Sequence, residues 1–272
     1  MFDNNYIPVL SSQAGASLTQ ANWQEAGIST AAFHLDELLM KPGLEILQQV
    51  VDLHTFTGWK GKLVLNCTFE VPEKEGNYVF RSRYDGSKIT FSVETLFEII
   101  QRLNPDSVLL PANSGVYYQQ FWQHLNKGMR LYFAADDRVN SPVQRYLAYL
   151  PSQTFTQYLH QLEQLPQGTY LLGSFDYFQL KTLLALSRYF VESDSPAADG
   201  LIGKAWLEEE ILNLPDTGYS NQHQPLFVDC HCRTCKQHFS RAYLHHLILH
   251  TPLLCQRLII QHNVSILSKT TL

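Results

Sequence analysis

Short apolar runs alternate along this chain with stretches of helical periodicity, the rhythm of βα units that build a parallel sheet or barrel. Residues 6–10, 30–35, 63–67, 107–112, 130–134, 170–174 and 189–193 read as strands. Between them, 41–52, 93–103, 117–126, 155–165 and 177–188 carry the three-to-four-residue apolar repeat of helices. One segment breaks the rhythm: residues 77–92 alternate polar and apolar, turn at Asp85-Gly86 and return, which predicts an inserted antiparallel hairpin shielding one barrel end. Residues 200–225 are polar and irregular, and read as a connection.

A chain of 272 residues buries enough surface for one large domain with a small appendage. The expected division is a TIM-like barrel over 1–200, with its hairpin near 77–92, and a connection with a metal-binding subdomain over 201–272. A hydrophobic share of 45% with 17% charged residues is that of an ordinary globular protein. No run of about eighteen apolar residues and no apolar leader is present, so a cytoplasmic protein reaching membranes only through partners is expected. The formal net charge of -5 argues against strong non-specific nucleic-acid binding, and tRNA is not an expected partner.

Five cysteines are an odd number for a disulfide framework, and three of them fall in Cys230-His-Cys-Arg-Thr-Cys235. Tight spacing of this kind lets three thiolates reach one ion at about 2.3 Å, and points to zinc. A fourth ligand is required, and His238, His245, His246, His250 and His262 all lie downstream. Four protein ligands close the coordination sphere, so the ion would be structural. Cys67 and Cys255 read as buried small apolar residues. Arg233, Lys236, Arg241 and Arg257 could form a basic face, which on an acidic chain is more often a solvated or protein-binding surface.

The cysteine knuckle, followed by Phe239-Ser-Arg-Ala-Tyr-Leu-His-His-Leu247 and Gln261-His-Asn263, resembles the zinc signature of the tRNA-guanine transglycosylases. The resemblance extends to Tyr6-Ile-Pro-Val9, Leu39-Met-Lys-Pro-Gly43, Leu53-His-Thr-Phe-Thr-Gly-Trp59, Phe80-Arg-Ser-Arg-Tyr-Asp-Gly-Ser87 and Tyr170-Leu-Leu-Gly173. It implies a (β/α)8-type barrel with a zinc subdomain, and it selects His262 as the fourth ligand beside Cys230, Cys232 and Cys235. With seven strands read where eight are implied, a degenerate barrel is expected, with about one βα unit missing or remodelled between Asn113 and Tyr170.

Exchange of a tRNA base needs a carboxylate that attacks the sugar carbon, a second acid–base group and a polar pocket for the purine edge. By resemblance these fall on Asn66, Ala112 and Glu192, where the family has three aspartates. Asn66 cannot take a proton at neutral pH, Phe69 stands where the family has glycine, Ala112 removes the charged acceptor, and Glu192 carries its carboxylate one methylene farther out. Glu192 and Asp194 are strand-end acids that read as leftover pocket lining or a salt-bridge pair in preference to a repurposed acid–base couple. The expectation is therefore a non-catalytic relative serving as a structural or adaptor subunit of a larger protein complex, a type IV secretion coupling complex being one such assembly. The aromatics in 116–125 and 174–178 are candidate contact surfaces. The competing readings are a divergent transferase using Glu192 and a tRNA-binding module without catalysis.

Overall fold

The computed structural model describes residues 2, 4–69, 76–139 and 143–269, which divide into two compact units, Thr30–Leu172 and Met1–Ser29 with Gly173–Leu272. In the first unit six parallel strands lie side by side: β2 (Thr30–His34), β3 (Lys62–Asn66), β6 (Ser107–Leu109), β7 (Arg130–Ala134), β8 (Gln144–Ala148) and β9 (Tyr170–Leu172), in the order β9-β8-β7-β6-β3-β2. Helices cover parallel sheets on their outer faces, so such strands are apolar along their length. Ala31, Ala32, Leu63, Val64, Leu65, Val108 and Leu109 accordingly show no exposed surface.

The helix Val93–Leu103 shows how the sequence dictates an element. Ser92 caps it by accepting from the Thr95 N–H at 3.2 Å, and Asn104 closes it in the left-handed region at φ 45°. Leu96, Ile99, Ile100 and Leu103 recur at helical spacing and are all buried. By contrast, the expected helix over 41–52 is broken into Leu35–Leu38, a π-type turn at Leu39–Gly43, Leu44–Leu47 and, farther on, Leu53–Thr57. Pro42 lacks an N–H to donate, and Gly43 at φ +105° takes a conformation other residues avoid.

The hairpin is present as β4 (Asn77–Arg81) and β5 (Lys88–Ser92), paired antiparallel from Asn77↔Ser92 to Arg81↔Lys88. Its inner face packs Tyr78 and Phe91 against Phe69, with ring centroids 5.4 and 5.9 Å away. Arg83 at its tip pairs with Glu37.

In the second unit, β1 (Tyr6–Ile7) pairs parallel with β10 (Phe190–Glu192), in register Tyr6↔Val191 and Ile7↔Glu192. A two-stranded antiparallel ribbon follows, β11 (Lys204–Trp206) with β12 (Ile211–Asn213). The residue-200 boundary expected from sequence falls inside this unit, within the helix Ser195–Leu201. That helix lies so close to Pro252–Lys269 that a Cβ on Gly200 would meet the Ile260 backbone at 2.9 Å.

Eight parallel strands alternating with helices place the chain in the TIM-like (β/α)8 class. The strand missed from sequence is β8, whose Gln144-Arg145 start and half-exposed pattern lack a continuous apolar run. What the remodelled unit lacks is its helix. β7 and β8 are joined by residues 135–143, less than the dozen or more a helical crossover needs, and the described residues there hold no helix. Arg145 secures this connection by donating to the Ala134 and Asp137 carbonyls at 3.0 and 2.7 Å. Asp137 in turn accepts from the Gly115 N–H at 2.9 Å.

Candidate active site and metal centre

Cys230, Cys232, Cys235 and His262 come together, all buried, with their ligand atoms within 4.8 Å of one another. Cys232 caps the short helix Arg233–Lys236, accepting from the Cys235 N–H at 3.3 Å, so the turn itself gathers the second and third sulfurs. His262 arrives from the helix Pro252–Lys269, with Nδ1 3.6 Å from Cys232 Sγ and 3.3 Å from Cys235 Sγ. Tetrahedral zinc with sulfur at about 2.3 Å and nitrogen at about 2.0 Å separates such ligands by roughly 3.5 Å, so the spacing fits the ion.

The second ring nitrogen fixes the tautomer. Nε2 lies 2.7 Å from the Trp206 carbonyl, which can only accept, so Nε2 carries the proton and Nδ1 presents its lone pair to the sulfurs. Burial opposes a charge on the His262 ring, whereas the Cys230 and Cys232 sulfurs beside it favour positive charge there, the charge a bound cation supplies. The site thus attracts positive charge, as a thiolate cage for a cation should. Asn263 braces the same helix, accepting from the Trp206 N–H at 2.8 Å and donating to Pro196 and Lys204 carbonyls.

The other four histidines lie elsewhere. His245 bonds the Leu214 carbonyl at 2.7 Å, His246 stacks on His250, and His238 is exposed in a left-handed turn. Cys67 and Cys255 are isolated and buried, and burial pushes the Cys255 thiol up to about 12. Of the four basic residues near the knuckle, Arg233 pairs with Glu25 at 2.5 Å, Arg257 donates to Asn22 and Arg241 contacts Gln222. Tyr117 and Phe178 are 65% and 57% exposed, while half-buried Phe121 stacks on buried Phe97.

The C-terminal ends of the strands in Thr30–Leu172 surround two cavities. One, of about 460 Å³, is lined by His34, Asp36, Asn66, Thr68, Phe69 and the strand β4. The other, of about 670 Å³, adds Ala112, Asp136, Tyr146 and Leu150 to the same Thr68 and Phe69. Phe69, held by the hairpin aromatics, therefore lines both. A larger groove of about 1050 Å³ runs along the outer helix Val93–Leu103, away from the strand ends where barrel chemistry is performed.

Asn66 Oδ1 accepts from the Thr68 N–H at 3.0 Å and the Thr68 hydroxyl at 2.7 Å, while Nδ2 lies 3.5 Å from His34 Nε2. Ala112 is exposed beside the larger cavity and offers it only a methyl group. Sequence reasoning missed His34, because its nearness to Asn66 comes from strand register rather than spacing.

Glu192 ends β10 and is 3% exposed. A carboxylate so placed is costly unless it finds polar partners, and the residues beside it in sequence are themselves hydrogen-bonded. Tyr6 donates to the Ser193 carbonyl at 3.0 Å, Ser12 donates to Asp194 at 2.7 Å, and Ser193 bonds Ser195 at 3.0 Å. Burial, reinforced by Asp194, holds the Tyr6 phenol well above its ordinary pKa, so it stays a donor.

A family model described as queuine tRNA-ribosyltransferase matches residues 4–131 and 153–271. Relatives bearing that name include one from Synechococcus elongatus, 24% identical over 98% of this chain and 82% of its own. One from Thermotoga maritima is 23% identical over 96% of this chain and 83% of its own. Another, from Blochmanniella floridana, is 22% identical over 89% and 77%.

Proposed function

This chain belongs to the queuine tRNA-ribosyltransferase family, and from that membership we propose that it is a divergent transglycosylase exchanging a base on a tRNA ribose, with Glu192 as nucleophile. The expectation of a catalytically inactive chain is corrected: relatives named as enzymes match it over 89–98% of its length. The adaptor role, and a secretion coupling complex with it, gains no support from them. The substitution at position 192 alters the reach of the carboxylate without removing it, and on this reading those at Asn66 and Ala112 change accessory groups only. tRNA, set aside on net charge, returns as the substrate class on the relatives' names.

One observation carries this reading. Glu192 stands, buried, at the C-terminal end of a parallel strand, where (β/α)8 enzymes carry their reacting groups. Its carboxylate oxygen would attack C1′ of the ribose, and the glycosidic bond would break with its electron pair on the departing base. An incoming base then attacks C1′ and releases the carboxylate. Cys230, Cys232, Cys235 and His262 would hold one zinc ion with every position filled, so it supplies folding energy and no activated water. The reducing cytoplasm is the proposed compartment, supported by five cysteines without a disulfide.

Trapping tests the nucleophile. Protein incubated with tRNA and no incoming base should give a covalent protein–RNA band on a denaturing gel, and Glu192→Gln should give none. A band that survives Glu192→Gln would reject Glu192 as the attacking group.

A further inference from the structure

We propose that Arg81 and Lys88 form a binding site for one backbone phosphate of the tRNA substrate, at the rim of the cavity of about 460 Å³; this rests on the transglycosylase reading above. The two residues face each other across the hairpin, in register Arg81↔Lys88, so their side chains leave the same face. Directly opposed residues have Cβ atoms about 4.5–5.5 Å apart, and like charges so placed repel. Both are exposed, so neither is there to fill the core.

The other charges of the hairpin are engaged in the fold. Arg83 pairs with Glu37, and Lys41 stands with Nζ 3.6 Å from the centre of the Tyr84 ring. Asp85, the acid of the turn, accepts from the Ser87 N–H at 3.1 Å and the Ser87 hydroxyl at 2.8 Å, which holds it to its own loop. Arg81 donates to the Gly86 carbonyl at 3.3 Å, a bond that orients the guanidinium and leaves its other donors open. Among the described residues Lys88 has no side-chain partner, and neither cation meets a carboxylate. An anion set between two such cations turns their repulsion into a shared attraction.

The surroundings identify the anion. The hairpin follows β3, so it stands at the C-terminal ends of the strands, where barrel chemistry is performed. Arg81 lines the cavity together with Phe69 and Phe80, whose rings stack 6.2 Å apart. A single-stranded RNA loop suits both parts of this arrangement, with phosphates for the cations and splayed bases for the aromatic walls. A net charge of -5 gives RNA little hold on the molecule at large, so a local cationic pair decides where its backbone is held.

Filter binding of tRNA to the full chain between about 0.05 and 0.2 M KCl tests the site. The double variant Arg81→Gln/Lys88→Gln should weaken binding about tenfold and lower the slope of log affinity against log salt by about 0.7, the share of one single-stranded phosphate. In base exchange its KM for tRNA should rise about tenfold with kcat within about twofold, because the contact holds ground state and transition state alike. Lys127→Gln, just before β7 at the opposite end of the strands, should change neither quantity. A comparable loss there would make the effect one of total charge and overturn the site. The urea midpoint of the double variant should hold or rise, since a cross-strand repulsion is gone. A falling midpoint would assign both residues to the fold and overturn it. Binding and slope unchanged in the double variant, alongside exchange that vanishes in Glu192→Gln, would overturn this inference and leave the function standing. Hairpin-dependent binding without exchange by the wild type would reject the transglycosylase reading alone. A folded wild type that binds no tRNA would overturn both.

Discussion

At the scale of single residues, the metal site and the strand-end site differ in how far they could be read from the chain. The cysteine trio is legible because three thiols within six positions must converge whatever the fold, and His262 was reached only through the family signature. The structure shows why it is chosen: Trp206 holds Nε2 and Nδ1 lies 3.6 and 3.3 Å from the Cys232 and Cys235 sulfurs, a place His245, bonded to the Leu214 carbonyl, does not take. Replacing Cys232 with Ser should release the ion, seen as loss of zinc by elemental analysis, and should reduce the helical signal of the C-terminal helices together with it. Retention of one zinc per chain in that variant would remove Cys232 from the ligand set. Ala112 gives a second residue-scale prediction. It is exposed to the larger cavity, so Ala112→Asp adds a charged acceptor at little desolvation cost and should tighten guanine binding by about tenfold in calorimetry.

At the scale of elements, periodicity located those whose stability is local and missed those set by neighbours. The helix Val93–Leu103 carries its own cap and apolar face, and its predicted bounds match the structure. Leu96→Ala should cost about 2–5 kcal/mol in urea unfolding, since Leu96 is fully buried, and Ser92→Ala about 1 kcal/mol. By comparison, β8 is held by pairing with β7 and β9 and by Arg145, none of which shows as an apolar run in Gln144–Ala148. At the other end of the sheet, Asp106 ties β3 to the segment leading into β6. It accepts from Lys62 Nζ, the Leu63 N–H and His54, each at 2.9 Å. Burial works to raise the Asp106 carboxyl, but the hydrogen bonds from Lys62 and Leu63 prevail and hold it below its ordinary value. A depressed folded pKa gives stability that is present above the unfolded value of about 4 and is lost as pH falls below it. Urea midpoints measured at pH 5 and pH 3 should therefore drop more for the wild type than for Asp106→Asn.

At the scale of the whole molecule, the class of fold followed from alternating strand and helix patterns, and the family from landmarks spread along the chain. Activity was harder to read, because it depends on which side chains meet. Sequence alone presented Asn66 as a lost acid, whereas strand register sets an imidazole beside it. It presented Glu192 as an over-long side chain, whereas the structure shows it buried at the end of a parallel strand. The central claim, a working transglycosylase built on Glu192, is tested most directly by mixing the purified zinc-loaded protein with tRNA and labelled guanine or a 7-deazaguanine base, then counting label in RNA. Label that accumulates with wild type and falls to background with Glu192→Gln is the predicted result; label equal in both, or none with a folded wild-type protein, would contradict it.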